Sequence, residues 1–384
     1  MLLLCLAVLV FLFNLYATTD IILGTRKMRN LADVQPFSGK SPRRVSIIVP
    51  ACNEEKTIEP ALLSLLNLEY ESLEIIVIND RSTDRTGEVL ARIQQEYPQL
   101  KIHEIRELPE GWLGKNHALY QGARLASGDF LLFTDADVLF DKTTLARAMS
   151  LMMNEQLDHL ALVFRNRAKG LLLNAMMIDA GGGLFFLFKP WKVSDPKSKS
   201  FIGVGAFNLV KKSVYMEIRG HESVRMHPID DIMLGKIIKQ KGFRQECLSG
   251  YDFLAVHWYE SPQKMINGLM KNIFALYNFR ISYVLAAILI ICLVTILPFW
   301  GTFLTSGLTR IFCILAVTIR LLYFTCGARL TGTTYGTVPF SLLTPYINIY
   351  IIMKGMLKTL ANDGIDWRGT HYPLDKLKEN LPIL

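Results

Sequence analysis

The sequence predicts an α/β domain on a mainly parallel, Rossmann-like sheet, with membrane helices before and after it. Three observations predict this. From Val45 onward short apolar runs (45–51, 73–80, 101–105, 129–137) alternate with segments of helical periodicity at 57–68, 84–97 and 115–126, and strands alternating with helices call for parallel pairing through right-handed crossovers. Polar residues gather where three of the runs end, which is where ligands bind in such sheets. The hydrophobic fraction of 51% over 384 residues is high for a soluble protein. Long apolar stretches on both sides of the alternating region account for the surplus.

Charge and cysteine usage narrow the partners. The net charge is +8, but Lys and Arg are dispersed, without a basic stripe interleaved with aromatics. Nucleic acid is therefore not expected, and anionic lipid headgroups and phosphorylated substrates are. The six cysteines show no C-x-x-C spacing, so neither a zinc site nor a disulfide framework is expected, in keeping with a reducing compartment.

Residues 1–23 are apolar apart from Asn14, Thr18, Thr19 and Asp20, and about 20 residues suffice to cross a hydrocarbon core. No basic segment precedes the stretch, whereas Arg26, Lys27, Arg29, Arg43 and Arg44 follow it. An uncleaved anchor (1–24) and a basic juxtamembrane linker (25–44) are expected, and the positive-inside rule puts the domain at 45–260 in the cytoplasm.

Within that domain Asn53 and Glu54 follow the first run, Asn79, Asp80, Ser82 and Asp84 end or follow the second, and Asp135 and Asp137 close the fourth. A strand's period of two puts Asp135 and Asp137 on one side, with Ala136 turned away. Both can then reach one hard cation. Mg²⁺ or Mn²⁺ takes such oxygen ligands and completes its shell with water and substrate phosphates, so a diphosphate-linked substrate is suggested. A solvated turn is the rival reading.

Residues 171–191 are unusually apolar but contain Asn174 and Asp179, and either lie against the membrane or pack in the core. Residues 201–210 read as a strand in which Gly203 and Gly205 permit close backbone approach, to a ligand or merely in a bulge. Residues 229–242 read as a helix with Asp230 and Asp231 in its first turn, where the helix dipole alone would favour them. Residues 261–280 form an amphipathic, interfacial helix. The membrane region at 281–357 holds two spans, 281–304 and 308–328. A third segment, 338–356, is broken by Pro339, Pro345 and Asn348 and is expected to be re-entrant or interfacial, leaving the tail (358–384) inside.

A nucleoside diphosphate sugar suits this cleft, with base and ribose near Asn53, Glu54 and Asp80. Its diphosphate would bind through the cation to Asp137 and Asp135, with Lys115 as a second positive charge. Lys115 can equally be a solvated turn residue. An acceptor hydroxyl needs a base, and Asp231, with Asp230 beside it, is the candidate.

Five motifs, PACNEE (50–55), INDRSTDRT (78–86), GWLGKNHAL (111–119), DAD (135–137) and IDDIMLG (229–235), occur in an order that resembles family 2 glycosyltransferases with a GT-A fold, over roughly 45–259. The W-x-G-K stretch, the carboxyl-terminal spans and the tail GIDWRGTHY look closest to the membrane-bound branch with hopanoid-associated and carotenoid glycosyltransferases. The resemblance implies inversion at the anomeric carbon, a UDP-sugar donor and Mg²⁺ or Mn²⁺. By the same likeness Pro50, Asn53, Glu54, Asp80 and Asp84 match nucleotide-binding motifs and Lys115 a phosphate contact. Asp135 and Asp137 match the metal motif, and Asp231 the base.

The sequence departs from the family at three places. Asn79-Asp80 replaces a common pair of aspartates, and Asp230-Asp231 replaces Glu-Asp. The Q-x-x-R-W motif of processive relatives is missing from SPQKMINGLMKN, which disfavours a polysaccharide synthase. The expected function is transfer of one sugar to a lipid or polyprenyl-type acceptor at the cytoplasmic face. A soluble or polysaccharide acceptor and a non-catalytic, nucleotide-sugar-binding membrane scaffold remain as alternatives. A nucleotidyltransferase is disfavoured because PACNEE is not a glycine-rich phosphate loop. Trp258 and Tyr259 serve as interfacial anchors or stack on the acceptor.

Overall fold

The computed structural model describes residues 1–37, 43–166, 168–256 and 258–379. Residues 38–42 of the expected linker, 380–384 of the expected tail, and positions 167 and 257 lie outside the described residues. In chain order the first half runs α1 (Leu2–Lys27), β1 (Val45–Ala51), α2 (Ile58–Leu66), β2 (Leu73–Asp80), α3 (Thr86–Glu96), β3 (Lys101–Ile105), α4 (Gly114–Leu125), β4 (Phe130–Phe133), β5 (Val138–Phe140), α5 (Thr144–Asn154), β6 (His159–Val163) and β7 (Arg165–Asn166). Next come α6 (Leu171–Phe188), β8 (Asn208–Lys211), α7 (Lys212–Glu217), α8 (Asp230–Gln240), β9 (Gln245–Ser249), β10 (Leu254–Val256) and α9 (Pro262–Leu276). The chain ends with α10 (Ile281–Ile291), α11 (Leu297–Leu304), α12 (Gly307–Thr331), α13 (Thr344–Ala361), β11 (Gly364–Trp367), β12 (Thr370–Pro373) and α14 (Leu374–Glu379).

Seven strands form the main sheet in the order β3-β2-β1-β4-β8-β6-β9. β1 is parallel to β2 and β4, β2 to β3, and β6 to β9, while β8 runs antiparallel to both β4 and β6. The central strands β1, β2 and β4 are largely apolar because they are covered on both faces, whereas the edge strand β3 is mostly exposed. On β1, Ile47 and Val49 face the cluster that includes Leu62, Leu90 and Leu145, whereas Ile48 faces Ala118, Leu119 and Leu234. Each such side chain, fully withdrawn from water, stabilises the fold by about 1.5–3 kcal/mol before entropy is counted. The order reverses beside β1, so the loops after β1, β2 and β4 open into one crevice.

One expected strand is shorter than its sequence suggests. Of residues 201–210 only Asn208 onward pairs, and 201–207 is irregular. The cause is Gly203: a Cβ there would lie 1.8 Å from the Asp231 carbonyl oxygen, so this backbone follows the start of α8 rather than a neighbouring strand. The structure also adds a small sheet, β5-β10-β7, that the periodicity did not indicate.

Among the described residues, four helices are long and apolar enough to cross a membrane: Leu2–Lys27, Leu171–Lys192, Ile281–Leu304 and Gly307–Thr331. The second of these lies between β7 and β8, so both its ends lead into strands. The segment Tyr335–Leu342 is bent by 60° against Thr344–Ala361. Beyond it, the hairpin β11–β12 bonds back to the loops after β1 and β2, which puts the tail on the same side as the sheet. One ion pair ties this layer together. Arg320 on α12 donates to Asp179 of α6 (3.0 Å) and to the Ser341 carbonyl (2.8 Å), and Asn348 of α13 donates to the same aspartate (3.0 Å). Both charges are largely buried, so each satisfies the other where no water can.

Candidate active site

The loops after β1 and β2 are knitted together by their own polar groups. Asn53 has positive φ (57°), and its Oδ1 accepts from the backbone N–H of Thr83 (2.7 Å) and Asp84 (3.3 Å). Asp84 in turn accepts from Glu55 N (3.1 Å) and from Thr86 N (3.0 Å), and Ser82 Oγ accepts from Asn53 N (3.1 Å). Asn53 and Asp84 therefore brace the cleft wall with their side-chain oxygens. Asp80 is buried, and both of its oxygens are held by Arg81, Nε at 2.8 Å and Nη2 at 3.0 Å. Glu54 pairs with Arg368. Pro50 lies inside β1 opposite Ile78.

After β4 the chain alternates as a strand end should. Ala136 is buried while Asp135 and Asp137 are partly exposed. Lys115, in the first turn of α4, places Nζ 2.8 Å from Asp135 Oδ1 and 3.7 Å from Asp230 Oδ1. Burial works against its charge, but Asp135, Asp230 and Asp231 outweigh it and hold the ammonium pKa above its usual value. Behind Asp230 stands buried His221, with Nε2 at 3.7 Å and Nδ1 2.9 Å from the Tyr215 hydroxyl. Burial lowers the His221 pKa, so the ring is neutral near pH 7. Burial opposes ionisation of Asp230 too, yet Lys115 and then His221 keep its carboxyl below the usual range.

Gly205 joins the two acidic motifs. Its carbonyl accepts from Asp135 N (3.1 Å) and its N–H donates to Asp231 Oδ2 (2.7 Å). A Cβ at this position would stand 2.8 Å from Asp135 Oδ2 and 3.4 Å from Asp231 Oδ2; only glycine leaves the space between the carboxylates open. Burial, and then the charge of Asp230, push Asp231 up to about 7. Burial, then Asp135 and Glu54, push Asp137 up to about 7 as well. Tyr259 lies near Asp137, whose charge adds to burial in raising its phenol to about 12, and it stacks on Trp258 at 5.4 Å between ring centroids.

The site thus collects Asp135, Asp137, Asp230 and Asp231 around Lys115, an oxygen-rich set with more negative than positive charge. That chemistry fits a hard divalent cation. Among the described residues no group of three or more His, Cys, Asp or Glu side chains is placed to hold a metal. Two carboxylates, with substrate phosphates completing the shell, is the arrangement that agrees with both facts. Residues absent from the sequence-based site are Arg81, His221, Arg368, Thr370 and Tyr372. Gly369 marks a turn in this stretch, but Arg368 is not the residue such a turn favours, and no local signal ties the tail to the cleft.

Comparisons with known proteins point to one kind of enzyme. The sequence model of the family described as Glycosyl transferase family 2 matches residues 46–219. The 4,4'-diaponeurosporenoate glycosyltransferase of Staphylococcus haemolyticus is 28% identical over 255 residues, covering 61% of this chain and 62% of that protein. Its Staphylococcus aureus counterpart is 28% identical over 244 residues, covering 60% of this chain and 61% of the relative. The chain thus spans about three fifths of the length of these curated relatives. Among solved structures, a mannosyltransferase from Pyrobaculum calidifontis in complex with GDP-Man and Mn²⁺ superposes with a TM-score of 0.54 at 18% identity, over 93% of this chain and 99% of that one. Residues 46–219 thus match the glycosyl transferase family 2 model, on a domain that shares the fold of that mannosyltransferase and sits among helices of membrane-spanning length.

Proposed function

We propose that the protein is a membrane-bound, inverting glycosyltransferase that moves one sugar from a nucleoside diphosphate sugar, a UDP-sugar, to a lipid or polyprenyl-type acceptor at the cytoplasmic face. The observation that carries this reading is the bridge at Gly205, which holds Asp135 and Asp231 on either side of one open space. The carotenoid-type relatives and the layer of apolar helices next to the sheet domain support a lipid acceptor.

Asp137 and Asp135 would hold Mg²⁺ or Mn²⁺. When bound, the cation stabilises negative charge on the departing diphosphate. Lys115 adds a fixed positive charge at the same edge, kept protonated by its three carboxylates. Asp231 takes the proton of the acceptor hydroxyl as that oxygen attacks the anomeric carbon from the face opposite the leaving group. Asp230 stays ionised and, backed by His221, holds Lys115 in place, while the Gly205 N–H holds Asp231. Transfer from nucleotide sugars to extracted membrane lipids, with and without a chelator, tests the proposal.

A pH dependence follows. A base is competent only when unprotonated, and Asp231 is pushed up to about 7. Activity is therefore full above that value and falls as pH drops through it, by about tenfold per unit once Asp231 is mostly protonated. Measuring kcat/KM against pH checks this; a flat profile through neutrality contradicts the assignment.

A further inference from the structure

The chain comes back to the cleft at its far end. Ile365, Tyr372 and Leu374 share an apolar cluster with Leu113, Phe274 and Ile352, which clamps the β11–β12 hairpin against the start of α4. Its two-residue turn is Arg368-Gly369, both with positive φ (49° and 78°). Turns of this kind favour Asn-Gly or Gly-Gly, and an arginine in the left-handed region is held there against its preference. That disfavoured residue is the one that enters the cleft. Nη1 of Arg368 donates to the Asn53 carbonyl (3.2 Å) and Nη2 bonds to Glu54. Thr370 Oγ1 accepts from Arg81 Nη1 (3.0 Å), and the Tyr372 hydroxyl accepts from Gly114 N (3.2 Å). One hairpin thus touches the loop after β1, the loop after β2 and the residue before Lys115.

Stability alone does not account for the arginine, because asparagine would suit the turn better. Charge does. A nucleoside diphosphate entering between these loops meets the Glu54 carboxylate, which repels it unless neutralised. A guanidinium has five donors in a planar fork, so one edge can stay on Glu54 while another meets a phosphate or a base carbonyl. The Arg368 side chain is 39% exposed, so that second edge is accessible.

We infer that the carboxyl-terminal hairpin is the outer wall of the donor site and that Arg368 is a positioning residue for the nucleoside diphosphate. The inference rests on the proposed reading of the cleft as a nucleotide-sugar site. It is tested with the full chain in detergent, by titrating UDP and GDP in the presence of Mn²⁺ into wild type, Arg368→Asn and Arg368→Lys, with thermal unfolding of each. Wild type is expected to bind one of the two nucleotides. Arg368→Asn should bind it about 10–100-fold more weakly, the scale of a hydrogen bond to a charged group, with an unfolding midpoint no lower than wild type. Arg368→Lys should recover part of the affinity, since it keeps the charge and loses the fork. Wild-type affinity in Arg368→Asn overturns the hairpin's role and leaves the donor site intact; should that variant fail to fold, wild-type affinity in Arg368→Lys has the same force. A wild-type protein that binds neither nucleotide overturns both.

Discussion

Replacing Asp231 with asparagine lowers kcat by about 10²–10⁴-fold, the range for losing a positioned general base, and leaves nucleotide binding near wild type. The amide is isosteric, so its oxygen can still accept from Gly205 N, the 2.7 Å bond that fixes the side chain. What disappears is the ability to take a proton. The donor's nucleotide is expected across the cleft, at the loops after β1 and β2, so its affinity is nearly unchanged. Single-turnover transfer and a nucleotide titration on the same preparation separate the two effects. Transfer at the wild-type rate would mean that another group removes the acceptor proton.

Replacing Asp137 with asparagine acts at the other edge. Burial, Asp135 and Glu54 all disfavour the charge on its carboxyl. A bound divalent cation would relieve that cost, while Asp135 is already paired with Lys115 at 2.8 Å. The asparagine variant should lose at least about 10²-fold in kcat, the scale of removing one preorganised contact to developing charge. Its UDP affinity should also become insensitive to Mn²⁺. Titration with and without EDTA reads this directly, and a variant whose UDP binding still responds to Mn²⁺ would move the cation away from Asp137.

The sheet and its switch point were legible because the central strands are buried on both faces, so that VSIIVPA, LEIIVIND and FLLF leave continuous apolar runs. The DAD alternation was legible for a related reason: a period of two is a backbone property, and Ala136 is indeed the buried member. Long-range pairing was less visible. Nothing local to Asn53 or Asp84 says that their oxygens would be used on backbone N–H groups about 30 residues away in sequence. Arg81 follows Asp80 directly, but its grip on both carboxylate oxygens needs a left-handed backbone (φ 53°) that composition does not announce. Residues 201–207 have strand-like composition, yet Gly203 and Gly205 serve close packing against α8 and the DAD loop instead. The tail was placed by charge counting on one side of the membrane, whereas its contact with Glu54 lies more than 300 residues away along the chain.

The most direct test of the central claim is a transfer assay on the purified full chain in vesicles of its host's membrane lipids, supplied in turn with UDP-sugars and Mn²⁺ and read by mass spectrometry of the lipids. The account predicts a lipid heavier by one sugar residue, formed with one of the donors, abolished by EDTA and absent with Asp231→Asn. Sugar transfer that persists at full rate in EDTA and in the Asp231→Asn protein would contradict it, as would nucleotide binding without transfer to any lipid.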